Sequence, residues 1–137
     1  MLDFVVMPNR EVTWSDETHL EMGGMEEDEW HTLFHDALGC PMGNEEPYTH
    51  GQDIDDWEQR IRLKFQRAIP DYPLLGRAWH YYYGAWYEPD EVEQLRAECQ
   101  KAQATISNQV ALNVLEQLIC ACNEALRRKS GLMLDSD

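Results

Sequence analysis

The stretch that decides the fold is QVALNVLEQLICACNEALRRKSGLML, residues 109–134. On a 3.6-residue wheel, Ala111, Val114, Leu115, Leu118, Ile119, Cys122, Ala125 and Leu126 share one stripe, and Asn113, Glu116, Asn123, Glu124 and Arg127 lie opposite. That is the pattern of a core helix, expected over 108–129. Arg127, Arg128 and Lys129 suit the negative end of its dipole, and Gly131 is read as the residue that stops it. Leu132, Met133 and Leu134 then form a short strand that can pair with an N-terminal one.

Upstream, Val92, Leu95, Cys99, Ala102 and Ile106 repeat at spacings of three and four, which predicts a helix over 89–105 with Pro89 in its first position. The two helices form an antiparallel hairpin. Earlier in the chain, Trp30, Leu33, Phe34, Ala37 and Leu38 mark a helix over 26–38, closed by Gly39. Ile54, Trp57, Ile61, Phe65 and Ala68 mark another over 53–69, capped by Asp53 and ended by Pro70. On that helix Asp56 with Arg60 and Glu58 with Arg62 are spaced for ion pairs.

Leu2 to Met7 reads as a buried strand stopped by Pro8; Glu11 to Trp14 is a candidate return strand, and Gly23 and Gly24 break the chain. Cys40 to Gly51 carries too many breakers for an element and is read as a surface loop. Residues 71–88 are expected to hold a helical turn near Leu74 to Trp79, then an irregular aromatic segment that forms a lid on the hairpin. The whole is one α+β domain over 1–137, predominantly α, with four main helices and a small sheet.

Charge is what sets this chain apart. Residues 1–60 hold sixteen acidic residues against Arg10 and Arg60, a net −14 out of −15 for the protein, and no Lys or Arg occurs between Glu11 and Gln59. Such a field repels nucleic acid and anionic membrane and attracts a basic protein surface or metal ions. The carboxylates expected to meet that partner are Glu26, Glu27, Asp28, Glu29, Glu45, Glu46, Asp53, Asp55 and Asp56.

Other chemistry is weakly signalled. His31 and His35 stand four apart, on one side of a helix as a zinc site requires, so a metal-binding protein or metal-dependent enzyme is the alternative. No His-Glu-x-x-His motif accompanies them, and Asp53, Asp55 and Asp56 lack the Gly and Glu of a calcium loop. No catalytic residues, cofactor or metal are assigned. Cys120 and Cys122 point about 200° apart on a helix and cannot share a ligand. Cys122 and Cys99 fall in apolar stripes, and Cys120 falls on the polar face, read as covered by the aromatic segment. No disulfide spacing, signal peptide or spanning segment is visible, which places the chain in a reducing cytoplasm. A homo-oligomer using the aromatic segment is the third reading.

Pro73-Leu74-Leu75-Gly76, Tyr82-Tyr83, Trp86-Tyr87-x-Pro89-x-Glu91-Val92-x-x-Leu95 and Ala121-Cys122-x-x-Ala125-Leu126 through Gly131 to Asp135 carry a further signal. In these the C-terminal half resembles small uncharacterised bacterial cytosolic proteins, some thought to be immunity proteins that neutralise toxins. The resemblance implies an inhibitory protein that binds a basic target such as a nuclease.

Overall fold

A computed structural model of the chain describes residues 1–11, 15, 18–41 and 48–136. Among these the fold is α+β, predominantly helical. The strands are β1 (Leu2–Met7), β2 (Leu20–Met25), β3 (Ala85–Tyr87) and β4 (Gly131–Ser136), in the antiparallel order β2-β1-β4-β3. The helices are α1 (Glu27–His31, continuing as a π-helical turn over Thr32–Ala37), α2 (Ile54–Ala68), α3 (Val92–Thr105) and α4 (Gln109–Arg128).

Helix α4 forms as its periodicity requires. Asn108 caps it by accepting the Ala111 N–H, and Ala111, Val114, Leu115, Leu118, Ile119, Cys122 and Ala125 are all buried, with Ala121 added to the stripe. It lies beneath β2, β1 and β4, where Leu2, Phe4, Val6, Leu132 and Leu134 face it at alternate strand positions. Helix α3 runs antiparallel beside it. Arg96 donates to Asn123 and Gln103 to Glu116, both at 2.9 Å and in the same register.

The two ends of the chain meet in the sheet. Strand β4 pairs with β1 over six consecutive residues, Leu2 opposite Ser136 through Met7 opposite Gly131, so the expected C-terminal strand is present and longer than 132–134.

Several local expectations are corrected. Gly131 does not cap α4: the left-handed residue there is Lys129 (φ 54, ψ 40), with the Ser130 N–H closing on Ala125 O at 2.8 Å. Gly131 is required for another reason, since a β-carbon on it would lie 2.3 Å from Trp86 Cη2 and 2.7 Å from the Tyr87 carbonyl oxygen. Pro89 precedes α3, which begins at Val92, because residues 89–91 form a turn.

Gly23 and Gly24 do not break the chain either. They lie in β2, where the pairing with β1 shifts between Asp3 and Val5 and Gly23 takes φ 102, the geometry of a bulge. The return strand is therefore Leu20–Met25; Glu11 lies in a turn, and 12–14 fall outside the described residues. Helix 26–38 changes pitch halfway, with the Leu38 N–H reaching Leu33 O at 3.0 Å, and Gly39 follows it with φ 76. Cys40, assigned to a surface loop, is buried in the core. The aromatic segment contains a strand, β3, which pairs with β4 from Ala85 opposite Leu134 to Tyr87 opposite Leu132.

The Gly131 and Lys129 assignments predict opposite effects. Gly131→Ala forces β3 and β4 apart and should lower stability by about 1–3 kcal/mol, whereas Lys129→Gly relieves a left-handed backbone and should raise it by roughly 0.4–1 kcal/mol. Denaturant unfolding of the two variants checks the signs; a harmless Gly131→Ala contradicts the packing described.

Candidate binding surface

The nine carboxylates expected to form a partner surface are distributed as follows. Glu45 and Glu46 lie outside the described residues. Glu26, Glu27, Asp28 and Glu29 form the first turn of α1 and its cap, where acidic side chains complement the helix dipole. Glu29 Oε1 accepts the Glu26 N–H at 2.9 Å, so Glu29 is partly committed to holding the helix end. Asp53 is the expected cap of α2, taking the N–H groups of Asp55 and Asp56 at 2.9 and 3.2 Å.

Among the described residues none of these seven carboxylates forms an ion pair with Arg or Lys. The pairs present on other carboxylates lie elsewhere: Arg77 with Glu91, Lys101 with Asp71, and Arg127 and Arg128 with Glu124. Neither pair expected within α2 forms among the described residues; Glu58 turns to Tyr83 rather than to Arg62.

That contact reveals the element that joins the two acidic helix starts. Tyr82 donates its hydroxyl to Glu27 Oε2 at 2.8 Å, and Tyr83 donates to Glu58 Oε1 at 2.7 Å. Two adjacent residues thus reach α1 on one side and α2 on the other. The His80 ring stacks on Tyr83 with centroids 4.0 Å apart and lies 6.0 Å from that of Tyr82, while Trp79 meets Tyr83 edge-on at 5.5 Å. Partial burial pushes the His80 imidazole below its usual range, against the opposing pull of Glu58 and Glu27. Tyr82 and Tyr83 remain 58% and 50% exposed, although their hydroxyls are engaged. The segment is therefore divided: Tyr81 and Tyr87 are core residues, and Tyr82 and Tyr83 look outward.

The segment is held rigidly from below. The turn Leu75–Ala78, which the sequence pattern anticipates, is fastened from three elements. Glu98 of α3 accepts the N–H groups of Leu74 and Leu75 at 2.9 and 3.0 Å, Tyr87 of β3 donates to Leu74 O at 2.6 Å, and Trp30 of α1 donates to Ala78 O at 2.8 Å. Burial raises the Glu98 carboxyl, and the two backbone donors and Gln94 counter it. Arg77, stacked over Tyr87 at 5.6 Å, carries a two-point ion pair to Glu91 that holds the Glu91 carboxyl below its ordinary range.

The other candidate chemistry is placed as follows. His31 lies edge-on to Trp30, and His35 Nδ1 sits 3.0 Å from Asp36 Oδ1. No group of three His, Cys, Asp or Glu among the described residues could hold a metal ion. All four cysteines are free; Cys120 is exposed, contrary to expectation, because the aromatic segment packs on α1, α2, α3 and β4 and leaves that face of α4 open. Burial pushes the Cys40 and Cys122 thiols up to about 12, which removes them from thiolate chemistry near neutral pH. No helix among the described residues is long and apolar enough to cross a membrane.

The surface residues that pattern reading did not assign are Glu58, His80, Tyr82 and Tyr83. Their signal was an acidic helix start and an aromatic run, but the outward Tyr82 and Tyr83 are the same residue type as the buried Tyr81 and Tyr87, and nothing local linked the run to the helix. The Tyr82 phenol is raised by its hydrogen bond to Glu27. Glu27→Gln should bring the Tyr82 ring resonance, followed by NMR through alkaline titration, back towards the usual phenol range of about 10; an unchanged titration would show that the two groups do not meet. No family model, curated protein or solved structure matches this chain.

Proposed function

We propose that the acidic start of α1 together with Tyr82 and Tyr83 is a docking surface for a basic protein, and that the protein acts by binding rather than by catalysis. The observation that carries this reading is the absence, among the described residues, of any Arg or Lys partner for Glu26, Glu27, Asp28 and Glu29 beside two half-exposed tyrosines. Carboxylates of one sign steer a cationic surface during encounter, and rigid aromatic rings supply contact area at low entropic cost. Tyr82 and Tyr83 orient Glu27 and Glu58 without neutralising them, since a phenol donates a hydrogen bond and keeps its proton.

The specific form of the proposal is an immunity-type inhibitor whose carboxylates occupy the basic cleft of a toxin such as a nuclease. Substrate phosphates would be drawn to such a cleft by the same field, so an acidic protein that fills it competes directly.

The test is capture on the immobilised protein from an extract of its source cells, at low and high salt. The expected result is a discrete protein of high isoelectric point, retained at low salt, released as salt rises, and lost with Glu26→Lys, Glu27→Lys and Asp28→Lys combined. Glu29 is left in place because it holds the helix end. Tyr82→Ala with Tyr83→Ala should weaken retention at least tenfold. Recovery of no basic protein, or retention indifferent to the charge reversal in a variant that keeps its circular dichroism, overturns the proposal.

A further inference from the structure

Helix α2 is the most lightly packed of the long helices. Of its fifteen residues only Ile61 and Phe65 are buried, and its outward face is exposed along its whole length. That face is ordered by charge: Asp55 and Asp56 occupy the first turn, the exposed Arg60, Arg62, Lys64 and Arg67 the later turns, and the uncharged Gln59 lies between the two groups. Among the described residues, Asp55, Asp56, Arg62 and Arg67 form no ion pair. Ile54 and Leu63, at 48% and 37% exposure, are large apolar side chains left in solvent on the same helix. A groove of about 400 Å³ lined by Arg62, Leu63, Gln66, Arg77 and Trp79 runs along its flank.

We propose that this face pairs with the same face of a second copy of the chain, antiparallel about a two-fold axis. The occupant follows from the charge order. A helix that is acidic at one end and basic at the other is complementary to itself only when reversed, and a two-fold axis supplies that reversal and makes each contact twice. Asp55 and Asp56 of each copy then meet the Arg62 to Arg67 end of the other, with the axis passing near residues 59–60. A nucleic acid or an anionic surface would suit the basic half and be repelled by the acidic half; a second α2 suits both. The helix is about 22 Å long, so the patch is small and the dimer weak, with dissociation in the micromolar range. The acidic start of α1 takes no part, and this inference stands or falls separately from the binding reading above.

Sedimentation velocity at about 0.15 M salt, from low micromolar to near-millimolar protein, tests it through a charge exchange. Wild-type protein should pass from monomer to dimer across that range. Arg62→Glu with Arg67→Glu makes the face predominantly acidic, and Asp55→Arg with Asp56→Arg makes it predominantly basic; each variant alone should stay monomeric. Mixed in equal amounts, the two should form a heterodimer at least tenfold tighter than either self-association. Circular dichroism of each variant controls for folding. A wild-type protein monomeric throughout, variants that dimerise as wild type does, or a mixture that stays monomeric while both variants are folded, overturns the inference.

Discussion

The burial of α4 against a sheet that joins the two chain ends is the constraint on which the rest of the structure depends. An isolated strand such as β1 has no stability of its own, and an amphipathic helix needs a surface for its stripe. Strand β4 follows α4 after a two-residue reversal through Lys129 and Ser130, pairs with β1 along its full length, and brings both strands over the helix that precedes it. Strands β2 and β3 extend this pair on either side. Because α3 covers the neighbouring flank of α4, the apolar residues of the C-terminal half, those of the first strand and Met25, Trp30, Leu33, Phe34 and Cys40 form one core.

That arrangement separates the source of stability from the source of charge. Among the described residues, the Arg and Lys ion pairs with both partners described, such as Arg77 with Glu91 and Arg127 and Arg128 with Glu124, join residues of the C-terminal half to each other. Pairs at the surface, such as those on Glu124, contribute little to stability because water screens them. At the acidic helix starts the protein uses phenols instead of cations. Tyr82 and Tyr83 satisfy one oxygen each on Glu27 and Glu58, fix the relative placement of α1 and α2, and leave the negative charge in place. The turn beneath them is tied by Glu98, Tyr87 and Trp30, so the outward rings stand on a rigid base.

Much of the scaffold was legible in the sequence, and the losses have physical causes. Helices α3 and α4 were readable because their stripes are long and strictly periodic, and the Leu132 to Leu134 strand because a helix stop directly precedes an apolar run. Strand β2 was hidden by Gly23 and Gly24, which signal a chain break when read locally and a bulge only when β1 lies alongside. Strand β3 is three residues long and exists because Gly131 lets Trp86 cross β4, a dependence over more than forty positions. The acidic start of α1 was visible as composition. Its junction with Glu58 through Tyr82 and Tyr83 was not, because hydrogen bonds between residues 25 and 55 positions apart leave no trace in periodicity. Cys120 was misplaced for the same reason, since which neighbour covers a helix face is a property of the tertiary fold.

The central claim is that, among the described residues, the carboxylates at the starts of α1 and α2 are left without Arg or Lys partners and held in place by an apolar core. Thermal unfolding as a function of ionic strength tests this most directly, because screening relieves repulsion between unpaired like charges and weakens attraction within ion pairs. Raising sodium chloride from about 0.01 to 0.15 M shortens the screening length from about 30 to 8 Å, and the melting temperature should rise by several degrees. A melting temperature that stays level or falls over that range would mean that the carboxylates are already paired within the folded molecule, and would contradict the account.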